Sequence, residues 1–340
     1  MDPVKRVFEG LGRLFGGGRG GLDGRVRWFG KLPAHADYVA APDPAPFAHE
    51  FSDWLIQGFA KHQAAAGGGE YRPLGCSVGL LRVPRSATTV GFVLSDFGGD
   101  ARGRRFPFAL FFGLPTAQLP GPTAANFECF APALRDLHGM LGAARSALAR
   151  PDAGAWHAGT IEPAAPADPA ALARRWAAMP WLDWRDAVLG AAAPTDSATW
   201  LAAIHAWGSR IAAHEQSDFP FNLSFPLAAR WDWGIQAQGW LAWLARRIRL
   251  DRRAASIIVN FAPDSAQPLG TRLHVIARPI VPDDFLLLGP AADRLKYMDA
   301  LPLTAADATP PDSPVSIPPD FAAFVTAGPE LDGATRSRSG

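Results

Sequence analysis

Apolar residues at Phe47, Phe51, Trp54, Leu55 and Phe59 recur every three or four positions, and this spacing predicts a helix over about 45–61. Two continuous apolar runs follow, 76–83 and 89–94, divided by Pro84-Arg85-Ser86; they read as the paired strands of a hairpin. Residues 106–114, dense in phenylalanine, read as another buried strand, and 26–30 as a short one ahead of the helix. The helical period resumes over 124–149, 169–177, 197–215 and 233–250. Strands are predicted at 221–227, 256–261 and 272–280, the last two carrying β-branched residues that this alanine-rich chain otherwise uses sparingly.

Both ends lack this regularity. Val4, Val7, Phe8, Leu11, Leu14 and Phe15 share a helical face, with Lys5, Arg6 and Arg13 elsewhere, which makes 4–15 a short basic amphipathic helix; 16–24 is a glycine-rich linker. Residues 151–169 are rich in alanine and proline and read as a linker or long surface loop. After Ala291 the apolar pattern fades, and 291–340 is expected to form a disordered or loosely docked tail. Strands thus cluster early and late while helices fill the middle. That distribution points to an α+β fold, a mainly antiparallel sheet flanked by helices, rather than a doubly wound parallel one. The expected divisions are 1–24, an N-terminal domain over 25–150, a helix-rich C-terminal lobe over 151–290 that ends in strands, and the tail.

At 340 residues, two lobes are expected. Hydrophobic residues make up 48% and charged residues 19%, which is a globular composition. With 33 basic and 32 acidic side chains, the surplus that non-specific phosphate-backbone binding requires is absent, so nucleic acid is not an expected partner. Cys76 and Cys129 are too few for a disulfide framework. No apolar run reaches the ~20 residues needed to span a bilayer, and no secretory signal is evident, so a cytoplasmic protein is expected.

Several strings imitate catalytic or ligand motifs. Gly75-Cys76-Ser77-Val78-Gly79 matches the Gly-x-Ser-x-Gly nucleophile elbow, and His274 and Asp183 can be nominated as partners. The elbow needs a strand before the serine and a helix after it, whereas here the strand follows. Gly16-x-Gly18-x-x-Gly21 follows a helix and opens none, so it offers no positive helix end to a pyrophosphate. In Gly98-Gly99-Asp100-Ala101-Arg102-Gly103, Arg104-Arg105 stand where a phosphate loop places Lys-Ser/Thr. His49, Glu50 and Asp53, and likewise His214, Glu215 and Asp218, share helix faces, but no second histidine or third ligand completes a zinc set. Ten of the twelve tryptophans fall between 156 and 243, most spaced with Leu, Ile and Ala, which reads as core packing.

Two segments go beyond packing. Trp28-Phe29-Gly30-Lys31-Leu32-Pro33-Ala34-His35-Ala36-Asp37-Tyr38-Val39 sets Gly30, Pro33 and the polar Lys31, His35 and Asp37 directly after a strand end. Asp100-Ala101-Arg102-Gly103-Arg104-Arg105-Phe106-Pro107-Phe108 is a second glycine-bearing charged turn, feeding a buried strand. Together they resemble the TagF/ImpM family of type VI secretion accessory proteins. Its members carry Phe-Gly-Lys-Leu-Pro-x-x-Gly-Asp-Phe-Val, kept here from Phe29 through Pro33 and at Asp37, with Ala36 for Gly and Tyr38 for Phe. Trp54-Leu55 stands where the family's helix has a Trp-Leu pair. The later family motif, Pro-Ser-x-Asp-x-x-Gly-Arg-x-Phe-Pro-Leu, is matched at Asp100, Gly103, Arg104, Phe106 and Pro107, while Phe97-Gly98 replace Pro-Ser and Phe108 replaces Leu. A weaker match covers 256–288, where Ile257-Ile258-Val259 replace the family's tryptophans and Pro282-Asp283-Asp284-Phe285 fits its ending.

The resemblance implies a cytoplasmic, non-enzymatic regulator without cofactor or metal. It would restrain apparatus assembly after translation, with or against the forkhead-associated scaffold protein, in a pathway that includes a kinase and a phosphatase. It also implies a longin- or SNARE-like N-terminal lobe. From the residues themselves, Asp37, Asp100 and Arg104 are expected to converge and join the two turns, with Gly30 and Gly103 allowing close backbone approach. Such a network either fixes the fold or shapes a partner-binding edge. A serine hydrolase using Ser77 stays open as the alternative function, and so does membrane recruitment through 4–15.

Overall fold

The computed structural model describes residues 23–42, 45–65, 74–83, 85–118, 127–149, 156, 159–165, 167–189, 197–214, 222–248, 250, 255–261, 271–288, 298–300 (backbone only) and 316–327. The predicted helix at 4–15, most of the linker, and Glu215 and Asp218 lie outside the described residues. The chain divides into two units, and both are interrupted in sequence. The first comprises Met1–Leu119, Pro132–Pro163 and Pro279–Leu295; the second comprises Pro120–Ala131, Ala164–Arg278 and Lys296–Gly340.

The first unit holds strands β1 (Asp23–Gly30), β2 (Val39–Ala40), β3 (Cys76–Val83), β4 (Thr88–Ser95) and β5 (Phe108–Pro115) in the order β2-β1-β5-β4-β3. Every neighbouring pair in it is antiparallel. Strands β3, β4 and β5 are buried almost throughout instead of alternately, the burial expected of a sheet covered on both faces. Helix α1 (Pro46–Ala65) sets Phe51 on Phe92 and Phe111, with centroids 5.7 and 4.7 Å away. Its Trp54 and Phe59 meet Phe285 of the 3₁₀ turn Pro282–Leu288. Gly58 is required there, since a Cβ would stand 2.4 Å from that of Phe285.

Trp54 also donates its indole N–H to the Val281 carbonyl at 3.0 Å. Trp54→Phe keeps the ring contacts and removes this bond. Its expected cost is about 1 kcal/mol, read by urea titration. A loss several times larger would show that ring volume, and not the hydrogen bond, sets the role of Trp54.

The second unit contains helices α3 (Pro169–Ala177), α4 (Trp181–Leu189), α5 (Ser197–His214), α6 (Trp233–Ala245) and α7 (Phe321–Thr326). Helix α2 (Phe127–Ala147) changes unit at Pro132. Strands β6 (Asn222–Leu227), β7 (Ser256–Phe261), β8 (Thr271–Ile276) and β9 (Met298–Ala300) run in the order β7-β8-β6-β9. The β6–β9 pair is parallel and the others antiparallel. Trp181, Trp184, Trp200, Trp207, Trp240 and Trp243 are all fully buried. Several indole N–H groups of this unit find partners, while those of Trp181 and Trp243 are buried without one among the described residues. Trp176 Nε1 donates to Ile235 O at 2.9 Å, and Trp240 Nε1 to Pro226 O at 3.0 Å. The buried Gln236 amide accepts from Trp184 Nε1 and Ala228 N at 2.8 Å and donates back to Ala228 O at 2.9 Å.

The fold is α+β, with a mainly antiparallel sheet, as the pattern predicts. Differences fall at element ends and in short elements. The strand expected from Phe106 begins at Phe108, because Pro107 has no N–H for the ladder. The strand expected to reach 280 stops at Ile276, before Arg278-Pro279. The last helix expected to reach 250 ends at Ala245, where Arg246 and Arg247 cap it with their backbone N–H groups. Helix α4 goes unpredicted because its nine residues carry two aspartates and only a few turns of pattern. Residues 316–327, within the expected tail, are structured. Phe321, Phe324 and Val325 of α7 are buried among Trp181, Trp184 and Trp240, and so few positions leave too little periodicity to detect. Among the described residues, no helix is long and apolar enough to cross a membrane.

Candidate functional site

Strand β1 ends at Gly30, whose φ of +145° only glycine adopts readily, and a Cβ there would stand 2.2 Å from the Pro107 carbonyl oxygen. This close approach brings the segment after β1 against the segment before β5. The turn 30–37 and the turn 100–107 therefore meet in space. His35 accepts from Ala101 N through its carbonyl at 2.9 Å, and its Nε2 donates to Leu148 O at 2.6 Å. Phe106 locks the second turn underneath, with centroids 4.9 Å from Tyr38, 5.0 Å from Phe59 and 5.9 Å from Phe29.

Asp100 is the centre of the arrangement. Its Oδ1 accepts the backbone N–H of Arg102 at 2.9 Å and of Arg104 at 2.8 Å. Its Oδ2 accepts Lys31 Nζ at 2.9 Å and Arg104 Nε at 3.0 Å, with Arg104 Nη2 also 3.0 Å away. The Lys31 and Asp100 side chains are 5% and 0% exposed. Burial by itself would raise the Asp100 carboxyl. Hydrogen bonds from Lys31 and from the Arg104 and Arg102 backbone, with the Lys31 charge, outweigh it and hold the group well below the usual carboxylate range. With every acceptor direction in use, Asp100 organises the loop and is not free to take a proton from a substrate.

Asp37, Asp100 and Arg104 come together, with Arg104 paired to Asp100 rather than to Asp37. Arg104 Nη2 is 3.9 Å from Asp37 Oδ1, and Asp37 instead accepts from Tyr38 N at 2.9 Å. Arg104 Nη2 also donates to the Ala36 carbonyl, which ties the turns through backbone. Lys31 joins this group as a buried cation. Its position after a strand end gave no hint that it reaches a carboxylate 69 residues away, or that it lies 4.8 Å from the Tyr38 ring centroid. Gly103, at φ +74°, lets the loop turn. Pro33 is exposed, Pro107 buried. Trp54 stands apart from this group, in the core against Phe92 and Phe285. Arg105 reaches Asp96 at 3.7 Å.

The other nominated residues have different duties. Ser77 is buried inside β3, which continues to Val83, so no strand–turn–helix elbow forms around it. Ser77 belongs to the first unit, and His274 and Asp183 to the second. Glu50 accepts from Arg85 N and Ser86 N, both at 3.1 Å, and so fastens the β3–β4 connection to α1. Among the described residues no cluster of His, Cys, Asp and Glu could hold a metal ion.

Residues 27–150, which include both turns, match the model of the TagF N-terminal domain, described as type VI secretion system-associated. Over residues 27–150 the chain is thus similar to a type VI secretion-associated domain of the TagF family. The crystal structure of PA0076 from Pseudomonas aeruginosa PAO1 is similar at 20% identity, covering 34% of this chain and 53% of that one, with a TM-score of 0.29. This chain thus spans about half the length of PA0076 (53%). No curated protein matches it.

Proposed function

We propose that this chain is a non-enzymatic, cytoplasmic regulator. It restrains assembly of the type VI apparatus after translation by binding the forkhead-associated scaffold protein through the paired turns. The observation that carries this reading is the division of labour around Asp100. A buried carboxylate fixes a loop whose residues 101–105 are all exposed. Stability inside and display outside are what a preformed recognition edge needs, because little ordering cost remains at binding. Arg104 and Arg105 are held by carboxylates, while Arg102 projects from the loop with only its backbone N–H committed to Asp100.

The test is calorimetric titration of the full chain with the forkhead-associated protein of the same apparatus. Arg102→Glu is expected to weaken binding at least tenfold, about 1.4 kcal/mol, with the thermal midpoint unchanged. If that variant binds as tightly as the original chain, the edge is not the contact. If the original chain does not bind, the named partner is wrong.

A further inference from the structure

We propose that the polar face of the second unit's sheet is an oxyanion-binding site, built from Arg272, Ser224 and His274.

Antiparallel register puts Ser224 opposite His274, Pro226 opposite Arg272, and Asn260 opposite Arg272 on the other side. Partners in register point to the same face, and so do residues two apart on one strand. Arg272, His274, Ser224, Asn222, Ser256 and Asn260 therefore share one face of β6, β7 and β8 with Pro226, Ile258 and Ile276, and all six polar residues are buried. The opposite face is apolar, with Leu223, Phe225, Leu273, Val275, Ile257 and Val259. There Phe225 packs on Trp207 and Trp240 at 5.3 and 4.9 Å. A sheet that needed only a core would carry apolar residues on both faces.

Arg272 is the anomaly. It is 8% exposed, yet its hydrogen bonds go only to one serine: Nε to Ser224 Oγ at 2.7 Å and Nη2 to Ser224 O at 3.4 Å. Nη1, with two N–H groups, is buried without a hydrogen-bond partner, and so is His274 Nδ1. Burial pulls the guanidinium down to about 10, which leaves it charged at neutral pH, and no acidic neighbour acts on it. Burial, reinforced by Arg272, takes His274 down to about 3, so its imidazole is neutral. A buried cation without a counter-charge is costly, and proteins satisfy one with a carboxylate or an anion. Among the described residues no carboxylate pairs with Arg272, and the geometry supplies what an anion needs. Nη1 brings charge and two donors, Ser224 Oγ accepts from Nε and keeps its own hydrogen to give, and the neutral imidazole donates through Nδ1–H.

The experiment is thermal unfolding of the full chain in phosphate-free buffer, then with inorganic phosphate or with acetate, chloride making the ionic strength equal. An increase of about 3 °C or more at roughly 10 mM anion is expected. Arg272→Met should abolish that increase while unfolding no lower than the original chain without anion, since it removes an unpaired buried charge. A response to phosphate alone assigns a phosphate group, and a response to acetate alone a carboxylate. Should Arg272→Met fail to fold, Ser224→Ala must weaken the anion dependence at least threefold. No anion response in the original chain, or an equal one in the variants, overturns the site.

Discussion

Replacing Asp100 with alanine is expected to lower stability by about 3 kcal/mol and to free the loop it organises. The carboxylate is the common acceptor for two side chains and two backbone N–H groups. Removing it strands the buried Lys31 ammonium and the loop amides together. Lys31→Met is expected to cost less, about 1 kcal/mol, because Arg104 and both amides still serve Asp100. Urea titration of the two variants distinguishes this from a surface ion pair, for which both losses would fall below about 0.5 kcal/mol. The pH dependence has a fixed sign. The folded carboxyl is held below its unfolded value, near 3.9, so its contribution is complete above that pH and is lost as pH falls towards the folded value. Acid unfolding of the original chain should therefore steepen below about pH 4. Asp100→Ala should lack that component.

Phe324→Ala is the other large effect, an expected loss of about 3–5 kcal/mol. The ring lies 4.4 Å from that of Trp181, 5.3 Å from Trp240 and 6.1 Å from Trp243. Truncation opens a void among side chains too large and too constrained to collapse into it. Helix α7 is held otherwise by its Asp320 cap, by Phe321 N donating to Met179 O, and by Arg247 Nη2 donating to Ala327 O. The variant should unfold at lower urea with its tryptophan emission shifted to the red. A loss under 1 kcal/mol with unchanged emission would mean that α7 is not integral to the tryptophan core.

What the sequence disclosed follows from how locally each feature is encoded. Strands 76–83 and 256–261 and helix 169–177 are bounded by proline, glycine or a composition change, and their limits coincide with the structure. Helices α4 and α7 were illegible because each is a short aromatic patch whose partners lie far along the chain. At the candidate site the residues were legible, because Gly30, Asp37, Asp100 and Arg104 sit in turns too polar and too glycine-specific for packing alone. Their connectivity was not. Arg104 and Asp37 look like the natural ion pair on paper, but Asp100 is buried deeper and collects the donors, leaving Asp37 at the surface. Nothing in the string marks Lys31 as a buried cation or Arg272 as one without a counter-ion, since both facts depend on register and on what covers the sheet.

The contact of α1 with Phe285 has a consequence during synthesis. Trp54, Gly58 and Phe59 are made early, and the ring that closes over them is more than 220 residues later. At bacterial elongation rates that interval is on the order of ten to forty seconds. Through it, the nascent first unit exposes an aromatic helix face, a natural site for a chaperone to hold. A fragment that ends where the family domain ends, at residue 150, would keep that face open permanently.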